Sequence, residues 1–211
     1  MDNLIYILFV SVFIPILLMA GLIEKRAREP ITFVLIGIFT SVFAAEVNGL
    51  LCAVLPMSTF EITTIVTPIT EEILKALPIL VYATVLSARK EKLFTASMAV
   101  GIGFAVLENA FYLLNDASFN MIDAIIRAFG AGLMHGMCTL LVGVGISFAK
   151  KRSKIFVVGT FALLSTAITY HGIYNMLVQS DFDVIGFLLP MATYIPFFVW
   201  RIKSILKKQK D

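Results

Sequence analysis

The sequence predicts an all-α polytopic transmembrane helical bundle of about seven spans, and three observations predict it. Of its 211 residues, 59% are hydrophobic and the mean hydropathy is +0.94, well above the apolar share of about 45 to 50% in soluble domains. Apolar runs of at least about 18 residues recur along almost the whole chain, as helical spans require. The charged residues sit between those runs and alternate in sign. No separate soluble domain fits into what remains, so residues 1–211 form one membrane domain.

In order, the spans fall near residues 4–23, 31–55, 61–87, 93–114, 124–149, 155–178 and 184–202. The first has no basic segment before it and no small-residue cleavage site after it, and is expected to be a retained span rather than a removable signal. Basic clusters follow alternate spans. They are Lys25, Arg26 and Arg28; Arg89, Lys90 and Lys92; Lys150, Lys151, Arg152 and Lys154; and Arg201, Lys203, Lys207, Lys208 and Lys210. The other connections carry Glu61, Asp116, Asp123, Asp181 and Asp183. Under the positive-inside rule this places the N-terminus outside and the C-terminus in the cytoplasm. The clusters read as topology signals and lipid-surface contacts, so a nucleic-acid partner is not expected. Cys52 and Cys138 have no metal-type spacing.

Lys75 and Arg127 alone among the basic residues lie outside these clusters. Lys75 belongs to Thr67-Pro68-Ile69-Thr70-Glu71-Glu72-Ile73-Leu74-Lys75, inside the third apolar segment. A charge in hydrocarbon costs about 2.5 to 3.5 kcal/mol on insertion scales, so charges kept there are paired or functional. Lys75 is within helical reach of both Glu71 and Glu72. It can neutralise one carboxylate, and the other is left over. Pro68 and Pro78 are expected to kink this span and free carbonyls beside the acids.

With about 1.5 Å of rise per residue, Glu46, Glu71, Glu108, His135 and His171 each fall roughly 9 to 17 Å below the outer ends of five different spans. Glu108 closes Phe104-Ala105-Val106-Leu107-Glu108-Asn109, and His135 lies in Gly132-Leu133-Met134-His135-Gly136. His171 and Asn175 stand four apart on one helical face. Gly132 and Gly136 form a small-xxx-small pair suited to close helix approach. Carboxylates and imidazoles at one level support hydrolysis or a proton relay. Two imidazoles and a carboxylate also make a three-ligand zinc site with an open position. The HExxH signature is absent, so such a site must be assembled across helices.

Glu71-Glu72-x-x-Lys75, Phe104-x-x-x-Glu108-Asn109, His135 and His171-x-x-x-Asn175, in this order and in separate spans, resemble the PrsW family of membrane-embedded proteases. That family lies within the wider group of CAAX-processing endopeptidases and bacteriocin-processing Abi proteins. The resemblance covers roughly residues 30–180. It implies a multipass metallopeptidase of the cell membrane, of a kind associated in bacteria with site-1 cleavage of anti-sigma factors at the outer side. The partners implied are the lipid bilayer and a single-pass membrane protein substrate. It further implies that Glu71 is the general base, supported by Glu72. Glu108, His135 and His171 would be metal ligands, Zn2+ being the expected ion, or direct water activators. Asn175 would be an oxyanion donor or orient His171. The wider group has histidine where this chain has Glu108, so Glu108 either binds metal or tunes a neighbour. Some members of the group are thought to work through glutamate and histidine without a metal. Outside the resemblance, a proton- or cation-coupled transporter and a non-catalytic membrane partner protein are the competing readings.

Overall fold

The structure is a computed structural model that describes residues 4–22, 24–86, 89–115, 121–148 and 153–208. For residues 22, 25, 26, 123, 153–155, 197 and 200–208 it describes the backbone alone. Asp116, Lys150, Lys151, Arg152 and Lys210 therefore lie outside the described residues, as do the expected span ends at 23, 87 and 149. So do the side chains of Lys25, Arg26, Asp123, Lys154, Arg201, Lys203, Lys207 and Lys208.

Every regular element among the described residues is helical: α1 Leu4–Leu22, α2 Lys25–Val54, α3 Thr59–Glu61, a π-helical turn Ile62–Val66, α4 Thr67–Thr84, α5 Lys90–Asn115, α6 Met121–Ile146, α7 Ser153–Val178 and α8 Asp183–Lys208. Five of these, α1, α2, α5, α6 and α7, are long and apolar enough to cross a membrane. At 1.5 Å per residue the 30 residues of α2 extend about 45 Å, more than the hydrocarbon thickness. In α4, Glu71, Glu72 and Lys75 dilute the apolar character of an 18-residue helix. In α8 the apolar part is the shorter stretch Asp183–Pro196. The chain is a polytopic, all-α membrane protein of the cell membrane.

Helices α5 and α6 form the centre. Their facing residues Val100, Phe104, Met134, Cys138 and Val142 are buried, and Ile79 of α4 and Ala167 of α7 close the same core. Helix α1 packs outside α2 through Ile5 and Ile38, while Leu17, Leu18 and Met19 face outward, as suits a lipid-facing helix.

Helix approach is closest where glycine removes a side chain. A Cβ on Gly101 would lie 2.4 Å from the carbonyl oxygen of His135, so this glycine lets α5 and α6 cross at the level of that histidine. Of the expected pair, Gly136 lies at this crossing, its Cα 2.8 Å from that Cβ position, whereas Gly132 lies away from it. A Cβ at Gly132 would meet nothing within 4 Å, and one at Gly136 would meet Met98 and Ile102 side chains at ordinary distances of 3.6 and 3.7 Å. The crossing point pairs Gly136 with Gly101 of the partner helix rather than with Gly132.

The third segment is built from three pieces for a local reason. Ser58 and Glu61 cap its start reciprocally, with the Ser58 N–H donating to Glu61 Oε2 (2.8 Å) and the Glu61 N–H donating to Ser58 Oγ (3.3 Å). Downstream, Pro68 has no N–H to continue the helical ladder back into this turn. The ladder widens to a π-turn in which the Thr67 N–H bonds the Ile62 carbonyl, and the Thr63 carbonyl is left for another partner.

Candidate active site

The freed Thr63 carbonyl accepts the side-chain amide of Asn175 at 2.9 Å. This bond ties α7 to the π-turn. Three residues earlier on α7, Gly172 lets the helix approach the turn's backbone so closely that a Cβ would sit 2.7 Å from the Thr64 carbonyl oxygen. His171 is thereby held against the start of α4, where Glu71 and Glu72 are buried.

Glu72 and Lys75, both fully buried, form an ion pair of 2.6 Å. The lysine thus takes Glu72 and leaves Glu71 over. Glu72 Oε1 also lies 2.8 Å from His171 Nδ1. A carboxylate accepts, so Nδ1 carries the proton and Nε2 of His171 presents a lone pair. Lys75 lies 2.8 Å from His135 Nδ1. An ammonium only donates, so the His135 proton is on Nε2, which donates to Glu108 Oε2 at 2.7 Å. One lysine therefore sets the tautomer of His135 directly and, through Glu72, supports that of His171. Its ammonium also stands 4.6 Å from the centre of the Phe104 ring, a cation–π contact in a dry setting.

The two imidazoles pack edge to face with centres 4.9 Å apart. Beside them, Glu71 Oε2 lies 3.9 Å from His171 Nε2, and among the described residues neither atom has a hydrogen-bond partner. Two buried acceptors facing each other repel unless protons or a cation lie between them. The other oxygen of Glu71 accepts from the Asn48 amide at 3.3 Å, and the Thr70 hydroxyl bonds the Asn48 carbonyl in turn. Glu71 is thus fixed from one side and open on the other. Glu71, His135 and His171 each offer a ligand atom, all within 4.8 Å of one another. A metal ion fits this donor set. His171 is preset for it, its Nδ1–H held by a carboxylate as ligating histidines usually are. His135 would join by exchanging Glu108 for the ion at Nε2.

The remaining residues singled out in the sequence divide cleanly. Glu108 bridges His135 and Arg127, whose guanidinium is 3.8 Å away. Glu46 points elsewhere, accepting the Tyr6 hydroxyl at 2.5 Å on an exposed face, so four of the five ionisable groups expected at one level converge. Cys138 is buried one turn below His135, 3.5 Å from the Ala167 carbonyl. Asn48 and Arg127 enter the cluster without having been assigned a role from the sequence. The signal for Arg127 was present, since with Lys75 it was the only basic residue outside the connecting clusters. Asn48 shares the second span and the depth of Glu46, a signal that fits a site residue and interhelical glue equally.

Residues 27–201 match the profile of the PrsW family intramembrane metalloprotease. No curated protein and no solved structure matches the chain.

Proposed function

Because the chain belongs to the PrsW family of intramembrane metalloproteases, we propose that it hydrolyses a peptide bond of a single-pass membrane protein near the outer face, as in site-1 cleavage of an anti-sigma factor. The chain is a membrane-embedded peptidase, which sets aside the transporter and non-catalytic readings. The substrate and the side of attack are the proposal. The side rests on orientation: with seven spans, α4 and α8 included, the alternation of basic and acidic connections puts the start of α4 outside. Glu71 lies within two turns of the π-turn that precedes α4, and His171 is held against that turn through Gly172, hence toward that face.

The observation that carries the chemistry is the buried, unpartnered pair Glu71 Oε2 and His171 Nε2 at 3.9 Å. In this reading Glu71, His135 and His171 hold Zn2+, which when bound polarises the scissile carbonyl and lowers the pKa of water. Glu108 is the most accessible acid of the cluster, with 18% of its side chain exposed against 6% for Glu71 and none for Glu72. It takes the water proton and returns it to the leaving amine. This geometry favours exchanging the roles that the sequence resemblance implies for Glu71 and Glu108. Glu72 stays buried and anionic, holding His171 Nδ1–H and Lys75. Asn175 acts as a positioning residue: its amide is engaged by Thr63, which holds His171 opposite Glu71.

The test is cleavage of a single-span reporter in liposomes, with zinc content measured on the same samples. Glu71→Gln and His171→Ala are expected to lose both activity and bound zinc, whereas Glu108→Gln loses activity and keeps zinc. Full zinc retention by Glu71→Gln and His171→Ala refutes the ligand set. A Glu108→Gln enzyme that turns over at the wild-type rate refutes the base.

A further inference from the structure

Asn175 is engaged by the π-turn, and beside the hydrolytic cluster stands a group of polar side chains that the proposed chemistry does not use. Among the described residues, Arg127 Nε, the Tyr174 hydroxyl and Asn109 Oδ1 are buried without hydrogen-bond partners. Tyr174 is one turn beyond His171 on α7 and only 2% exposed. Asn109 follows Glu108, and the Arg127 guanidinium lies 3.8 Å from Glu108 Oε2 and 3.9 Å from the centre of the Tyr112 ring. Gly130, one turn along α6 from Arg127, lies so near Tyr174 that a Cβ there would be 3.2 Å from its hydroxyl. The tyrosine therefore projects onto the arginine's side of α6.

An orphaned buried polar group costs about 1 to 3 kcal/mol, and three carried by neighbouring turns of α5, α6 and α7 call for a common ligand. Two are donors, Arg127 Nε–H and Tyr174 O–H, and one is an acceptor, Asn109 Oδ1. That is the complement of a peptide group, whose carbonyl accepts and whose N–H donates. Tyr112 holds the guanidinium plane by stacking, so the fork is preorganised before any ligand arrives.

We propose that Arg127, Tyr174 and Asn109 clamp the main chain of an extended substrate segment one turn outside the hydrolytic cluster. The arginine and tyrosine donate to a substrate carbonyl and the asparagine accepts a substrate N–H. The clamp deepens the peptidase reading and rests on it for the identity of the ligand. It recognises backbone rather than side chains, so it requires the substrate helix to unwind locally, because a helical span keeps its own amides paired. Preference for a span that carries glycine or proline near its outer end follows.

The test uses metal-stripped full-length protein, so that binding is read apart from chemistry. The probe is a lysine-flanked single-span peptide with a dye at one end and a Gly-Pro pair near the other, followed by fluorescence anisotropy in detergent. Tyr174→Phe deletes only a hydroxyl without a partner, so the fold is retained and binding is expected to weaken about five- to tenfold, the effect of one buried hydrogen bond. Arg127→Met is expected to weaken it at least as much. Replacing the peptide bonds near the Gly-Pro pair one at a time by esters removes one N–H each. One such ester is expected to weaken binding to wild type severalfold and to have no further effect in Asn109→Leu, a coupling that general loosening of the fold does not produce. Binding by Tyr174→Phe and Arg127→Met within twofold of wild type overturns the clamp, as does a wild type that binds none of these peptides. Binding that depends on the three residues with no cleavage in the metal-loaded enzyme leaves the clamp standing and sinks the proposed hydrolysis instead.

Discussion

Replacing Lys75 by methionine is the most informative single perturbation of this bundle. Its ammonium is fully buried, 2.6 Å from Glu72, 2.8 Å from His135 Nδ1 and 4.6 Å from the Phe104 ring centre. Methionine fills much of the same volume, so the loss is electrostatic. Removing one partner of a buried ion pair leaves an uncompensated charge and costs about 3 to 5 kcal/mol; the hydrogen bond to His135 and the cation–π contact lie within that figure. Each 1.4 kcal/mol is tenfold, so the folded-to-unfolded ratio falls roughly 150-fold or more. The double variant Glu72→Gln/Lys75→Met removes both charges and keeps an acceptor for His171 Nδ1–H, so it is expected to recover most of the loss. The assay is reversible unfolding in mixed micelles, titrated with denaturing detergent and followed by the single tryptophan, Trp200, or by circular dichroism. A Lys75→Met protein within 1 kcal/mol of wild type, or a double variant no more stable than the single one, would refute the claim that this pair is an obligate buried couple.

Other outcomes are equally specific. Zinc uptake is expected to release about one proton, because His135 ligating through Nε2 shifts its proton toward Nδ1, where the Lys75 ammonium already donates at 2.8 Å, so the pair must give one proton up; calorimetry in buffers of different ionisation enthalpy reads this, and uptake without proton release argues against His135 as a ligand. Gly172→Ala forces a Cβ to 2.7 Å from the Thr64 carbonyl and is expected to cost about 1 to 3 kcal/mol of stability and to displace His171, lowering kcat more than it raises KM; wild-type stability and kcat would remove the close approach from the account. Asn175→Leu leaves the Thr63 carbonyl unpaired and is expected to cost about 1 to 3 kcal/mol while zinc affinity falls with His171 misplaced; unchanged zinc affinity would restore Asn175 as a candidate for direct contact with substrate. For topology, Ser58→Cys in the α2–α3 connection is expected to react with an impermeant maleimide from outside intact cells, and labelling only after lysis would invert the orientation.

What the sequence determined by itself was the solvent, the element type and the inventory of chemistry. Hydrocarbon leaves backbone groups no partner outside the chain, so long apolar runs had to be helices, and charges too costly to leave in lipid marked Glu71, Glu72, Lys75, Glu108, His135 and His171. It also showed that one lysine cannot neutralise two carboxylates. Which carboxylate is paired was decided by tertiary structure: the positions three and four residues before Lys75 are both reachable within one helix, and only His171 arriving from α7 beside Glu72 separates the paired acid from the free one. The same holds for Glu46, whose depth suited the cluster but whose helix face turns it to Tyr6, and for Gly132, whose spacing suited a crossing that Gly101 makes from the other helix. Depth along a span follows from counting residues, whereas rotation about its axis depends on which neighbours pack against it. That rotation is what leaves Glu71 and His171 as two bare acceptors facing each other across 3.9 Å.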